Sequence, residues 1–532
     1  MCRIIVLSNN IKYMKRLLLL LILWMSIIDT NAHSAIGDVM LNENFNSKDN
    51  DCRPRIIVTT DGEEDDRASF VRFLLTSNEF DIEAIVNTSS QFHWVGGKGW
   101  NAFCPPEWLN EYIGYYAKVY PNLSLHDSYY PSPEYLSSIC KVGNISQPHE
   151  YEERTEGAEF IAQILLDNKD TRPVWIQAWG GCNTIASALK IIQEDYPEKM
   201  KEVAGRTKLF LIWEQDESYQ KYIRPNWEHL QIPVIISDQF DCMAYIWRKV
   251  LPDNVKTYFE KPWFYKNILN GHGALCDAYH HKDQAFNAEG DTPAFLHNIP
   301  NGLRNMENPS YGGWGGQYVQ LRNNVWIDRK PSEKHDYPKG QWGIANSWSK
   351  HMEYFEHHDS IQMRTRYFKP LWRWLSDVQH DFAARADWCV KTYEEANHHP
   401  IACLKDGLLN RTAKAGEQLL LDASSSEDPD GNRLYFKWWY FEEASNSKYK
   451  PDINTPNSSK VTIIIPEKAL PGEKLHFICE VIDDGEPSLK KIFTGYCKNC
   501  VIHQLNASKL QTTNYRKGKV YINHRKRNKQ YQ

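Results

Sequence analysis

Net charge, long apolar runs, paired cysteine motifs and repeats are all scarce in this chain of 532 residues. A formal charge of only -5 excludes the global electrostatic attraction on which nucleic-acid binding rests. Past the N-terminus, no segment has the roughly twenty consecutive apolar residues that a membrane span needs. The twelve cysteines are irregularly spaced, so they define no disulfide framework. Cys497-Lys498-Asn499-Cys500 is the only CxxC. Without a second CxxC or a nearby histidine pair it makes a poor zinc site, leaving a local disulfide or two thiols. No internal repeat is present.

At the N-terminus, Lys12, Lys15 and Arg16 precede an apolar run from Leu17 to Ile28, followed by Thr30-Asn31-Ala32. The run is too short to span a bilayer, so residues 1–32 read as a secretory signal peptide, and the protein is expected to be exported, periplasmic or extracellular. The remaining length favours two domains over one core. Nineteen Trp and twenty-nine Tyr serve buried cores and sugar-stacking surfaces equally well.

From Arg53 to about Ser237 strands and helices alternate, the pattern of a sheet with parallel strands covered by helices. The expected strands lie near 56–58, 81–86, 174–178, 209–213 and 234–236, with helices over 65–76, 156–168 and 183–193 between them. Right-handed crossovers then collect Asp61, the loop from Asn87 to Gln91, Trp179-Gly180-Gly181, Glu214-Gln215-Asp216 and Asp238 along one sheet edge, where open α/β sheets bind ligands. The stretch from Lys261 to Asp359 reads as irregular loops over that edge, and 367–390 as a closing helix. The first domain thus spans 53–392, and His398-His399-Pro400 lies in a linker over 393–402. From 403 to 503, short apolar runs separated by turns predict a β-sandwich in which one of Trp438 and Trp439 points inward and the other outward. The tail from 504 to 532 carries many Lys and Arg and no Asp or Glu, the composition of a disordered end.

The most informative segment runs Arg55-Ile-Ile-Val-Thr-Thr-Asp61-Gly62-Glu63-Glu64-Asp65-Asp66-Arg67-Ala68. It places five carboxylates within six residues, on the turn between a buried strand and a helix. A helix N-terminus relieves part of their repulsion, and Asp65 or Asp66 could simply cap the helix. A hard divalent cation, which takes six to eight oxygen ligands when it is calcium, accounts for the number of acids.

This segment resembles the DxDPGxDD signature of nucleoside hydrolases, with Asp61 at its second Asp and Asp65-Asp66 at its closing pair. Ala178-Trp179-Gly180-Gly181-Cys182-Asn183-Thr184-Ile185-Ala186 is similar to that family's PTGGLTNIA segment. Glu289-Gly290-Asp291-Thr292-Pro293 and Tyr311-Gly312-Gly313-Trp314-Gly315-Gly316 resemble the GDTP and GGWGG motifs of a bacterial cellulose-binding-protein family. That family joins a nucleoside-hydrolase-like domain to an immunoglobulin-like one. The resemblance implies an open mixed sheet with helices on both faces, followed by an immunoglobulin-like sandwich.

It further implies that Asp61, Asp66, the Trp179 carbonyl and Asp291 hold Ca2+, that Asp65 and Asp291 meet sugar hydroxyls, and that Asp61 is the general base. Asn87, Gln91, His93, Trp94 and Trp314 are candidates for contacting the substrate or its leaving group. Two positions depart from the pattern: Thr59 replaces the signature's first Asp, and Gly290 stands where many nucleoside hydrolases have a His. The expected function is calcium-dependent hydrolysis of an N-glycosyl or related glycosidic bond. The alternative is a non-catalytic protein that binds cellulose or another polysaccharide through the same pocket. The expected ligand is a glycosyl or nucleoside molecule or a glycan; neither nucleic acid nor a membrane span is expected, and a homo-oligomer is compatible.

Overall fold

The computed structural model describes residues 53–329 and 365–499. The segment expected to be a signal peptide, the basic tail from 504 and Cys500 lie outside the described residues. Eight strands form the first sheet: β1 (Arg55–Thr60), β2 (Asp81–Asn87), β3 (Cys140–Val142), β4 (Val174–Ala178), β5 (Thr207–Ile212), β6 (Val234–Ser237), β7 (Tyr318–Arg322) and β8 (Val325–Asp328). Their order is β3-β2-β1-β4-β5-β6-β8-β7, and all neighbours run parallel except the antiparallel β7–β8 pair.

Every residue of β1 is buried, because the sheet is covered on both faces. Ile56 and Val58 join one core cluster while Ile57 joins the other, as strand alternation requires. Helices Glu64–Leu75, Glu107–His126 and Leu375–Trp388 cover the first face, and Glu156–Leu166 and Asn183–Asp195 cover the second.

Two local readings need correction. Helix Glu107–His126 lies between the expected strand near 81–86 and the expected helix over 156–168, where no helix was expected, and Pro121 sits within it. Its buried Trp108, Leu109, Tyr112, Ile113, Tyr116, Val119 and Leu123 follow helical spacing, but Gly114, Pro121 and the preceding Pro105-Pro106 obscure that period. Likewise, the stretch expected to form only loops supplies β7 and β8, which pair with each other, and β8 also pairs with β6, a partner distant in the chain.

The C-terminal region contains two small sheets. One holds β10 (Gln418–Asp422), β12 (Asp452–Asn454) and β13 (Lys460–Ile464). The other holds β9 (Asn410–Ala413), β11 (Tyr435–Tyr440), β14 (Lys474–Ile482) and β15 (Lys490–Asn499). Leu421, Trp438, Ile463, Phe477 and Val481 pack between the two sheets. The back of the larger sheet is buried as well: Phe441, Ile478 and Ile492 belong to the first domain's core, with Trp439 against it. Trp438 is therefore the inward tryptophan, while Trp439 packs near Trp374 across the boundary and is not free to grip glycan.

Polar contacts fasten the same boundary. The Thr494 amide donates to the Gly302 carbonyl at 3.2 Å, and Lys490 pairs with Asp377 at 2.9 Å. Arg373 pairs with Glu443. Within 393–402, Asn397 donates to Asp483 at 3.0 Å and the His398 amide to Asp430 at 2.6 Å.

One buried ion pair ties the first domain together. Arg72, on helix Glu64–Leu75, donates from Nε and Nη2 to both oxygens of Glu289, at 2.5 and 2.9 Å. It also donates to Gln379 Oε1 at 2.7 Å and the Val378 carbonyl at 3.2 Å, on the closing helix. Glu289 additionally accepts from Tyr279 and Thr292 hydroxyls at 2.7 and 2.8 Å. Removing one partner strands the other charge in the interior. Arg72→Met is therefore expected to lower unfolding free energy by about 3–5 kcal/mol, read from urea denaturation. Unchanged stability would show that the pair does not hold these elements.

Candidate functional site

The sequence delivers its acids to the C-terminal edge of the sheet by simple geometry. Strand β1 ends at Thr60, Asp61 follows, and the chain turns through Gly62 into helix Glu64–Leu75, whose first turn carries Asp65 and Asp66. Asp66 is held in place: one oxygen accepts from the Thr60 hydroxyl, and the other from the Glu63 amide at 3.2 Å. Asp291 arrives from the opposite side, just ahead of helix Thr292–Leu296.

Oxygens of Asp65, Asp66 and Asp291 lie within 4.8 Å of one another, and all three residues are buried. The geometry therefore groups Asp65 with Asp66 and Asp291, whereas the expected metal set had Asp61 in that place. Asp61 remains beside them, 1 % exposed, packed against Gly180.

Electrostatics show how unusual this cluster is. Burial, reinforced by the charge of Glu63, pushes the Asp61 carboxyl up to about 8. Burial and the neighbouring Asp66 push Asp65 up to about 7. Asp66 and Asp291 are held well above the carboxylate range, again by burial first and then by their acidic neighbours. Both oxygens of Asp61, Oδ1 of Asp65 and Oδ2 of Asp291 are buried without a well-formed hydrogen bond. Buried lone pairs of this kind need a proton or a cation. An all-oxygen, anionic donor set fits a hard divalent ion, with oxygen ligands from Asp65, Asp66 and Asp291.

Glycines permit the close approach. A Cβ at Gly180 would sit 2.9 Å from Asp61 Cγ, so the turn after β4 can lie directly on that carboxylate. A Cβ at Gly290 would lie 2.4 Å from Asp65 Oδ2. A side chain at this position would meet the Asp65 carboxylate, whose oxygen would have to move aside.

The other expected residues divide. The Trp179 carbonyl is at the edge and accepts from the Gln215 side-chain amide. Asn87 is fully buried, donating to the Thr60 carbonyl at 3.3 Å, with its own Oδ1 unpaired. Gln91 lies beside Gln215, its amide donating to the Gln215 carbonyl at 2.9 Å. His93 reaches the acidic turn, with Nε2 2.8 Å from Glu63 and Nδ1 3.1 Å from the Ala102 carbonyl. Both ring nitrogens are thus engaged. Burial opposes the charge on His93, but Glu63 outweighs it and raises the imidazole to about 9. Trp94 is half-buried and bridges to Ala102. Trp314 is 3 % exposed within the large core cluster, and its Gly315 neighbour packs on helix Thr292–Leu296.

Several residues outside the candidate set support the site. Glu289 and Arg72 brace the two arms of the cluster, Gln215 fixes the Trp179 carbonyl, and the Tyr245 hydroxyl donates to Glu63 at 3.3 Å. Glu289 carried a signal by standing next to the Gly-Asp-Thr-Pro motif, and Gln215 by following β5 at the sheet edge; Arg72 and Tyr245 carried none.

Such a sheet with such an acidic edge defines a nucleoside-hydrolase-like domain. The family model described as "Cellulose-binding Sde182, nucleoside hydrolase-like domain" matches residues 55–318, and "Cellulose-binding protein Sde0182, C-terminal domain" matches residues 418–492. The chain belongs to this cellulose-binding Sde182 family. A solved structure from Saccharophagus degradans, described as a nucleoside hydrolase-related hypothetical protein associated with carbohydrate metabolism, is 28% identical with a TM-score of 0.66. The match covers 84% of this chain and 100% of that one, so it extends across both domains. A plant nucleoside hydrolase is 11% identical, with 60% of this chain and 99% of that one covered; its TM-score of 0.26 is too low to carry anything over. No curated protein matches the chain.

The raised carboxyls set a pH dependence with a definite sign. Asp61 ionises near 3.8 when unfolded but only near 8 when folded, so in chelator its contribution to stability is lost as pH rises from about 4 to about 8. Melting temperature in EDTA should fall across that window, and added calcium should restore it most at the upper end. A calcium-independent profile would show that no cation meets these carboxylates.

Proposed function

We propose that this chain is an exported, calcium-dependent hydrolase of N-glycosyl or related glycosidic bonds. The observation that carries this reading is the buried Asp65, Asp66 and Asp291 cluster, with Asp61 unpaired beside it at the sheet edge. Asp65, Asp66 and Asp291, with the Trp179 carbonyl, would hold the ion. Calcium, when bound, lowers the pKa of water and orients substrate hydroxyls. The chain's own residues do the rest. Asp61 takes the proton from the attacking water at its buried carboxylate. Asp65 accepts from sugar hydroxyls, and Asn87 and Gln91 line the loop after β2 from which the sugar is positioned. Export rests on the N-terminal basic and apolar segment; among the described residues no helix is long and apolar enough to cross a membrane.

A second reading, glycan binding without turnover, is supported by different observations. The family name is that of cellulose-binding proteins. Gly290 leaves no acid at that position, and both His93 nitrogens are committed to Glu63 and Ala102.

Turnover of nitrophenyl ribosides, nucleosides and plant-wall oligosaccharides, with and without chelator, separates the two. Under the hydrolase reading Asp61→Asn lowers kcat by about 10²–10⁴-fold while calcium still binds. Asp66→Ala should abolish calcium binding measured by calorimetry; retention of that binding would remove the premise of both readings. Tight glycan binding with no turnover would establish the second.

A further inference from the structure

Helix Glu107–His126 ends at the boundary between the domains, and its last residue belongs to a pair of histidines that the proposed chemistry does not use. His126 Nδ1 lies 3.0 Å from His398 Nε2, and the other nitrogen of each ring also has a partner. His398 Nδ1 is 2.8 Å from Asp430 Oδ1, and His126 Nε2 is 2.9 Å from the Lys391 carbonyl oxygen. One continuous chain of contacts therefore runs from the C-terminal sandwich, through the linker, into the first domain. Both rings are buried, at 9 and 6% exposed.

The protons along this chain can be counted. A carboxylate stands at one end and a carbonyl at the other, and both only accept. The two outer nitrogens must carry protons, and the 3.0 Å contact between the inner two needs one more. Three protons on four nitrogens is one more than two neutral imidazoles hold. The surroundings suit that positive charge. His398 stacks on Tyr393 with ring centroids 3.9 Å apart and on Trp388 at 5.2 Å, and Trp388 also stacks on His126 at 5.3 Å. The faces of aromatic rings attract cations. Asp430 and Glu394 act on His126, and Asp428 stands with them beside Tyr393. The nearby cations are already paired: Lys391 with Asp387, which also meets His272, and Arg385, at 5.3 Å from the Trp388 ring, with Asp381 and Glu79. Burial holds the His126 imidazole below its ordinary range, which makes it the neutral member of the pair.

We infer that His126 and His398 share one extra proton and form a pH-gated latch between the first domain and the C-terminal sandwich. Loss of that proton in base breaks one bond, because two protons cannot serve three contacts. A further proton in acid sets two N–H groups and two cations against each other at 3.0 Å. An opened latch, with both rings in water, binds more protons than the closed one in acid and fewer in base, so closure weakens in both directions. It is tightest near the ordinary histidine midpoint, about pH 6.5.

Hydrogen–deuterium exchange of the 393–402 amides in the full chain tests this from about pH 5 to about pH 9. Wild type and His126→Phe are compared at matched pH, so that intrinsic exchange cancels. Phe keeps a flat ring on Trp388 but supplies no nitrogen. The ratio of variant to wild-type rates should peak at about tenfold near pH 6.5 and fall on both sides. His126→Gln, whose amide can still donate to the Lys391 carbonyl, should give the same two-sided profile with a lower peak, and it replaces the Phe variant if circular dichroism shows that one misfolded. In Asp430→Asn the alkaline limb should move to lower pH, since the carboxylate that holds the extra proton is gone. A ratio that stays constant with pH would make the pair a plain packing contact and overturn the inference. So would a ratio that falls on one side only, because a single titrating histidine would then suffice.

Discussion

Arg72 and Glu289 form a fully buried ion pair at the point where three distant parts of the chain meet. Arg72 belongs to the helix that starts with Asp65 and Asp66, Glu289 stands two residues before Asp291, and Gln379 on the closing helix completes the arrangement. An ion pair in the interior must have nearly every donor and acceptor satisfied, or the desolvation cost exceeds the Coulomb gain. Here the guanidinium reaches both Glu289 oxygens, an amide oxygen and a carbonyl, and its face lies over Phe382 at 3.9 Å. Those demands leave little freedom in how the two arms of the acidic cluster approach each other. The pocket inherits its geometry from a contact that touches no ligand.

Against that rigid frame, the acidic turn is a region of stored electrostatic cost. Its carboxylates gain from the helix N-terminus and from the Thr60 and Glu63 donors, yet burial outweighs these and keeps their proton affinities high. The cost is tolerable only if a cation or protons share the site. Glycines do the steric part of the same work, since Gly180 and Gly290 let backbone lie against Asp61 and Asp65 where any side chain would intrude. The C-terminal sandwich contributes from outside the pocket. Its larger sheet is apolar on both faces, one closing its own core and the other sealing the first domain's.

Much of this was legible in the sequence because it is written locally. The alternation of strand and helix, the acid-rich turn after a buried strand, and the Trp179-Gly180-Gly181 and Gly290-Asp291 segments are all short-range patterns, and each falls where the topology rules put ligands. Helix Glu107–His126 was hidden because its buried face is partly aromatic and its period is interrupted by Gly114 and Pro121. Strands β7 and β8 were hidden because a strand's identity lies in the partner it finds, and β8 finds β6 far upstream, with Val325 opposite Val234. Trp439 looked like a surface aromatic because alternation says only that it faces away from Trp438, not what lies on that side.

Local periodicity and right-handed connection were enough to specify the kind of sheet and to put Asp61 at its ligand-binding edge, while the short motifs carried the family resemblance and, through it, the expectation that Asp65, Asp66 and Asp291 lie with Asp61. Tertiary packing decided that oxygens of Asp65, Asp66 and Asp291 lie within 4.8 Å of one another, that Arg72 braces the arms that carry them, that a Cβ at Gly290 would meet the Asp65 carboxylate, and that both His93 nitrogens are taken. Each of those depends on distances between segments far apart in the chain, and such distances are set by packing, which no local pattern encodes.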